Sequence, residues 1–292
     1  MRSVMALSVA LVFVVGVASA HAQTPRSGFF VGGGVGAGFA KFGSQSVYNK
    51  GISDTYSNGA LIASGTADGP PVDAGFGTDS AATFGAQFGY FDHVGNSDWL
   101  WGAKFTYNYL GLKSGTPNLI IPQYGTSSAP GVPTFTGYSV TQSYSVEVNH
   151  QMTSLLYLGK SFGQGFVYAG AGVSLSRFKV DLDGVVGYAT LNGVFTNVSG
   201  APQSFSSTDW RFGAAITAGV TYYLTPSWFV DLSYLVTIPD TRTAWFTSGF
   251  YNPGTPDTFK GTLIGSATSN VDTTQTIMVS LNRMFWATPG RE

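Results

Sequence analysis

The sequence predicts an all-β protein whose strands close into an antiparallel transmembrane β-barrel of eight strands, or of ten if the first long connection contains a further hairpin. Three observations lead to this fold class. Eight segments alternate apolar and polar residues with a period of two, the pattern of a strand with two different faces. Short and long connections alternate between these segments. Charged residues make up 10% of the chain and aromatic residues 15%, whereas a soluble domain has about 25% charged residues.

The N-terminal segment, residues 1–22, is expected to be a signal peptide. Arg2 gives it a positive start, residues 4–17 are mainly apolar, and small residues allow cleavage after Ala20 or Ala22. Residues 23–292 are then expected to form a single barrel domain. No later segment offers 18 apolar residues in succession, so the sequence does not predict a membrane-spanning helix.

The strands follow from the alternation, which is clearest in residues 228–238. Trp228 and Val230 fall on one face of this segment, while Asp231 and Ser233 fall on the other. A strand needs about 9–11 residues to cross a bilayer at its usual tilt, and each of the eight segments is long enough. The predicted strands are residues 29–40, 83–92, 98–112, 140–159, 166–180, 210–224, 228–238 and 274–285.

The connections between these strands are sorted by length. Three are short turns at residues 93–97, 160–165 and 225–227, and the four connections that begin at Lys41, Lys113, Asp181 and Pro239 are long. This alternation is typical of outer-membrane barrels, which have short periplasmic turns and long extracellular loops. A soluble β-sandwich has no reason to sort its connections in this way.

The two faces of the barrel are predicted from the same alternation. Aromatic residues are expected on the outer face near the two water interfaces. At the short-turn end they are Trp99, Trp101, Tyr222, Trp228 and Phe285, and at the other end Tyr107, Tyr109, Tyr144 and Trp210. Glycines on the inner face of the first strand leave room in a narrow lumen for large residues opposite, namely Phe30, Tyr157, Tyr168, Tyr223 and Phe229.

Four charged residues are expected to point into the lumen: Lys104, Glu147, Arg211 and Asp231. Two of them are positively charged and two are negatively charged. This balance favours an internal network of ion pairs, because an unpaired charge in a narrow lumen is costly. The alternative is a charged ring that selects permeating solutes.

Composition argues against several other functions. The net charge of −1 gives no basic field for a nucleic acid. The chain has no cysteine, and beyond the signal peptide its only histidines are His93 and His150, so we expect no transition-metal site. His150 has Val148 and Met152 as its neighbours on the same strand face. The glycines after Phe30 imitate a dinucleotide-binding loop, but their number opposes the helix that such a loop must begin. We therefore expect no enzyme activity, no catalytic residues and no cofactor.

Residues 166–173, 210–216 and 220–231 together resemble the small outer-membrane β-barrel superfamily, which includes OmpW, the opacity-type surface proteins and the OmpA membrane domain. The last strand is similar to the C-terminal strand that such proteins use as an insertion signal, with Ile277, Val279, Leu281 and Phe285 on alternate positions. The resemblance implies a location in the bacterial outer membrane. It also implies contact with outer-membrane lipids, with lipopolysaccharide and with the barrel-insertion machinery.

Two functional hypotheses follow. In the first, a barrel with a largely filled lumen serves a structural or surface-interaction role and presents four long extracellular loops to a ligand. In the second, which the similarity to OmpW implies, the barrel is a narrow channel for small hydrophobic compounds, with a lateral exit through its wall.

Overall fold

A computed structural model describes residues 27–254 and 257–286; the expected signal peptide lies outside these residues. Within the described segments, no helix is long and apolar enough to span a bilayer. The strands in chain order are β1 (Gly28–Phe42), β2 (Ser44–Ser57), β3 (Ala60–Asp68), β4 (Val72–Gly75), β5 (Thr78–His93), β6 (Trp99–Ser127), β7 (Thr134–Phe162), β8 (Gly165–Leu191), β9 (Val194–Asn197), β10 (Gln203–Thr225), β11 (Trp228–Pro239), β12 (Arg242–Asn252), β13 (Asp257–Ser269) and β14 (Val271–Trp286).

Eight of these strands form a closed antiparallel ring. Each of β1, β5, β6, β7, β8, β10 and β11 is hydrogen-bonded to the next, and β14 joins β11 back to β1. The prediction of eight strands is therefore confirmed, and the ring does not contain ten. A closed ring leaves no unpaired backbone edge where its strands run side by side.

The long connections contain most of the other strands, at the end of the ring that we call the loop end; the opposite end is the short-turn end. The first long connection contains the hairpin β2–β3, which turns at Asn58 and Gly59 with φ values of 49° and 84°, as a tight hairpin turn requires. A ten-stranded ring would require this hairpin to be part of the ring, but the hairpin lies outside it. Strand β13 pairs with β2, β12 pairs with β13, and β3 pairs with the tip of β6. The strands of the long connections thus belong to the same 14-stranded sheet as the ring and continue its wall.

A bulge in β7 reverses which residues face inward. The register between β7 and β8 shifts between Val148 and His150, so Asn149 is the extra residue. Below the bulge Gln151 is buried inside, and above it Tyr144 is buried inside as well. The expectation that Glu147 points into the lumen and Tyr144 outward is therefore wrong. Strict alternation does not hold across a segment that contains an extra residue.

The outer face of the ring carries an apolar band. Its side chains are large, hydrophobic and exposed, and Leu156 and Val35 each show 68% of their surface. A water-soluble protein rarely exposes so wide an apolar area. The band consists of Val31, Val35, Phe84, Phe88, Leu156, Leu158, Val167, Val173, Phe212, Ile216, Leu232, Ile238, Ile277 and Leu281.

Candidate functional site

The lumen at the short-turn end is filled by an aromatic cluster. Glycines on neighbouring strands make room for it, because a side chain at Gly102 would collide with the ring of Tyr157, and one at Gly219 would collide with Tyr168. Large residues thus stand opposite small ones, which is how a narrow barrel is filled. The buried members are Phe30, Phe91, Leu100, Tyr157, Phe166, Tyr168, Phe229 and Met284, and Tyr223 packs against them.

An ion pair crosses the lumen directly above this cluster. Lys104 Nζ on β6 lies 3.3 Å from Asp231 Oδ2 on β11, and only 4% of each side chain is exposed. Tyr168 on β8 joins them, since Lys104 Nζ lies 2.7 Å from its hydroxyl oxygen and that hydroxyl donates to Asp231 Oδ1 at 2.9 Å. The ammonium group also lies 4.7 Å from the centroid of the Tyr168 ring. The contacts among Lys104, Tyr168 and Asp231 thus connect three strands on different sides of the ring.

Amide side chains extend the polar layer towards the loop end. Gln87 Nε2 lies 2.9 Å from Ser280 Oγ and 2.8 Å from Asn282 Oδ1. Further up, Gln151 Nε2 lies 2.8 Å from the hydroxyl oxygens of both Thr237 and Thr274. The sequence analysis did not single out these two glutamines, although the alternation of β5 places Gln87 on the inner face.

Arg211 forms a second charged contact near the loop end, with a partner that the sequence analysis missed. Its Nε donates to Asp209 Oδ2 at 2.9 Å, and its Nη1 donates to the carbonyl of Ser269 at 2.9 Å. The guanidinium carbon lies 4.2 Å from the centroid of the Phe178 ring. Asp209 is two residues from Arg211 and therefore on the same strand face, which is a signal that the sequence already contained.

Glu147 takes no part in these contacts. It is half-buried on the outer face, and the register places it between Lys113 on β6 and Lys179 on β8. The four charged residues predicted for the lumen are therefore brought together as one pair, Lys104 and Asp231, while Arg211 has Asp209 as its partner.

Above Arg211, the interior of the loop end is a hydrophobic core built from both the ring strands and the strands of the long connections. Phe178 and Phe246 belong to it, and the second comes from β12, a strand that the sequence analysis treated as loop. Its other members are Ala40, Phe42, Val47, Ala74, Leu110, Leu112, Ile121, Tyr144, Val146, Val148, Val180, Leu182, Val185, Leu263, Ala267 and Val271.

Two cavities in the polar layer are small. One beside Lys104, Tyr168 and Asp231 has a volume of about 10 Å³. Another, lined by Gln87 and Thr217 among others, has a volume of about 20 Å³. Each is large enough for about one water molecule. An open groove of about 680 Å³ lies instead at the tips of β6, β7 and β8, where uncharged residues such as Tyr124, Thr136 and Asn192 line it.

The remaining residues singled out from the sequence lie on the outer face. Trp99, Trp101, Tyr222 and Trp228 are exposed at the short-turn end, as is Trp210 at the loop end, and Tyr107 and Tyr109 are half-buried there. Tyr107 Oη lies 2.8 Å from Nδ1 of His150. In β14, Ile277, Leu281 and Phe285 are exposed and Val279 is half-buried; their role in insertion stays a prediction.

At the loop end, the buried carboxylate of Asp181 is held by its neighbours. Asp181 Oδ2 lies 2.8 Å from Lys179 Nζ, and Ser206 donates to Asp181 Oδ1 at 2.6 Å. Burial opposes ionisation of the carboxyl group, but the hydrogen bonds from Lys179 and Ser206 together outweigh it, so the pKa of Asp181 lies below its ordinary value.

No protein-family model matches the sequence, and no sequence relative is found among curated proteins. The structure is similar to small outer-membrane β-barrels. OprG from Pseudomonas aeruginosa is 14% identical, with 90% of this chain and 98% of OprG covered and a TM-score of 0.39. Neisserial surface protein A is 14% identical, with 89% and 98% covered and a TM-score of 0.33. Ail of Yersinia pestis, solved with the heparin analogue sucrose octasulfate, is 14% identical, with 80% and 97% covered and a TM-score of 0.24.

Proposed function

We propose that the chain is a bacterial outer-membrane β-barrel with its short turns in the periplasm and its loop end on the cell surface. The apolar band supports this placement. The ten residue steps from Trp228 to Ile238, at about 3.3 Å each and tilted by about 40°, span about 25 Å, the height of the apolar band of such barrels. Exposed tryptophans at both ends of the band fit the two membrane interfaces.

The function that the geometry supports best is a structural or surface-interaction role without conduction. The observation that carries it is the Lys104–Asp231 pair, which is buried in a lumen packed with aromatic residues below and with polar side chains and then a hydrophobic core above. A conducting pore needs a continuous water-filled path, and the cavities beside this pair have room for about one water molecule each. The loop-end sheet and its open groove are then the surfaces available to an extracellular partner.

Single-channel recording in planar bilayers tests this role. We expect purified, refolded protein to give no steady openings. The double substitution Lys104→Ala and Asp231→Ala removes the ion pair and should give brief openings. Glu147→Ala, a charge removed from the outer face, is the matched control and should stay silent. Steady conductance of the unaltered protein would overturn the proposal of a filled lumen.

The second hypothesis, a channel for small hydrophobic compounds, is favoured by one feature of the wall. Above the ring, β10 and β12 form no backbone ladder within the described segments. The backbone hydrogen bond from Asp240 N to Phe212 O ends the pairing of β10 with β11, and side-chain contacts such as that of Phe205 with Phe246 connect β10 to β12. Such an edge is where a lateral exit would open. Uptake of a small hydrophobic dye into proteoliposomes, faster than into protein-free vesicles, would support the channel and count against the first role.

The proposed partners follow from the location. The apolar band contacts outer-membrane lipids and lipopolysaccharide, and β14 presents Ile277, Val279, Leu281 and Phe285 to the barrel-insertion machinery. Replacing Phe285 with Ser should lower the yield of inserted protein in vivo, while the equivalent change at Phe212 should not. An equal loss of inserted protein in both variants would indicate that insertion depends on the overall hydrophobicity of the outer face and not on the last strand in particular.

A further inference from the structure

Arg177 is a cation on the outer face at the upper boundary of the apolar band. Its neighbours in sequence, Ser176 and Phe178, are fully buried inside, so Arg177 points outward. The outward positions below it on β8 are apolar, with Val173 exposed. Arg177 itself is half-buried, and among the described residues it makes no hydrogen bond, ion pair or ring contact.

The residues next to Arg177 on the neighbouring strands have aromatic and imidazole side chains. In register with it lie His150 on β7 and Trp210 on β10, and Tyr109 lies beyond His150 on β6. The Nδ1 atom of His150 is engaged by the hydroxyl group of Tyr107 at 2.8 Å. Large side chains on both sides thus flank the guanidinium group on the outer face.

The next level towards the loop end is charged. Lys113, Glu147 and Lys179 face one another in a row across β6, β7 and β8. Lys179 is bound to Asp181 at 2.8 Å. Asp79 Oδ2 also accepts from the backbone N–H of Lys113 at 2.7 Å, so with Arg177 this region has three positive and three negative charges. Arg177 makes no ion pair with these carboxylates in the described part of the chain.

The cations at the opposite rim are arranged differently. Lys160 Nζ lies 5.8 Å from the centroid of the Trp99 ring, and Arg283 lies 5.4 Å from that of Phe285. Each is therefore satisfied in part by a cation–π contact. Arg177 has no such contact within the described part of the chain, which leaves its five N–H donors for a ligand.

We propose that Arg177, with Lys113 and His150, binds a phosphate monoester group carried by a lipid of the leaflet at the loop end. The guanidinium group matches a phosphate in a bidentate geometry, and the site lies at the height where lipid headgroups meet the apolar band. The acyl chains of that lipid then lie against Val173 and Leu175 below. This inference rests on the proposed membrane location, because only a lipid at that boundary presents a phosphate and acyl chains together.

Native mass spectrometry of the full barrel in detergent tests the site, with diphosphoryl lipid A as the probe. We expect the protein to retain one lipid A molecule. Arg177→Ala should weaken retention about tenfold, as loss of a charge-assisted bidentate contact does, and Arg177→Lys should recover only part of it. Arg283→Ala, which removes an outward cation from the other rim, is the matched control and should retain lipid A as the unaltered protein does. The heat-dependent shift in electrophoretic mobility of each variant reports whether it has folded.

Two further measurements distinguish a phosphate carried by a lipid from a free phosphate ion. The unaltered protein should retain lipid A that lacks phosphates only weakly, about as weakly as the Arg177→Ala variant retains diphosphoryl lipid A. Competition by inorganic phosphate that is as effective as competition by lipid A would show a free-anion site and overturn the inference. Equal retention by folded Arg177→Ala and unaltered protein would also overturn it, while leaving the membrane location intact. A barrel that does not enter bilayers at all would overturn both proposals.

Discussion

Lys104 and Asp231 meet across the lumen with 3.3 Å between Nζ and Oδ2, and the hydroxyl group of Tyr168 contacts both. Two charges removed from water are costly, and their attraction offsets this cost only when the geometry is good and the remaining donors and acceptors are satisfied. Here Thr221 and Gln87 supply further polar contacts to the carboxylate, at 3.3 Å each. The pair is therefore a fixed part of the filled lumen.

Breaking this pair on one side should destabilise the barrel strongly. We expect Lys104→Met to lower the free energy of unfolding by about 3–5 kcal/mol, since it leaves the Asp231 carboxylate buried without a counter-charge. Adding Asp231→Leu should restore most of the loss. Urea unfolding in lipid vesicles measures both. Lys50→Met, which removes a partly exposed pair with Asp68 at 3.5 Å, is the control and should cost less than about 1 kcal/mol.

The space that Gly102 leaves for Tyr157 should be sensitive to a single methyl group. We expect Gly102→Ala to destabilise the protein by about 1–3 kcal/mol, because the new Cβ must displace the Tyr157 ring in a packed lumen. Gly51→Ala is the control, since nothing lies within 4 Å of its added Cβ. The two variants can be compared by the temperature at which each loses its folded electrophoretic mobility. Equal temperatures would contradict the packing described for the lumen.

The apolar band should reject charge only if lipid covers it. Leu156 lies on the outer face near the middle of the band and is 68% exposed, so in water Leu156→Arg should be nearly neutral. In a bilayer we expect a loss of about 2–4 kcal/mol. Ile120→Arg, at an exposed position of the loop end, should cost little in either setting. Unfolding in vesicles provides the measurement, and equal small effects would argue against the membrane location.

The Asp181 contacts should make the loop end sensitive to acid. Because the pKa of Asp181 is lower in the folded than in the unfolded chain, its contribution is present above the ordinary pKa of about 4 and is lost as the pH falls through the lower folded value. We expect Asp181→Asn to cost about 1 kcal/mol at neutral pH, the worth of a typical hydrogen bond, and progressively less in acid. Asp183→Asn, at an exposed neighbouring position, is the control at neutral pH for the loss of a carboxylate at this end of the barrel. A constant effect of Asp181→Asn at every pH would contradict the assignment.

Part of the architecture was readable from local patterns. The alternation in residues 228–238 predicted β11 to within one residue, because one face of each ring strand lies in the lumen and the other outside it. The same rule identified Lys104, Arg211 and Asp231 as inward residues, and all three are buried. Counting such segments gave eight ring strands and left ten open, because the first long connection had room for a further hairpin.

The sequence by itself thus determined eight alternating segments, the faces of most of them and the sorting of their connections, because a strand with one face inside a ring and the other outside it has a period of two. That the ring has eight strands and not ten was decided by the pairing in the structure. Only the tertiary structure decided what the long connections do and which charges meet. The bulge at Asn149 moves Glu147 to the outer face, and the hairpins of the long connections pair with strands distant in sequence, as β13 does with β2. Partners of this kind are chosen by packing across the whole molecule, so no local pattern contains them.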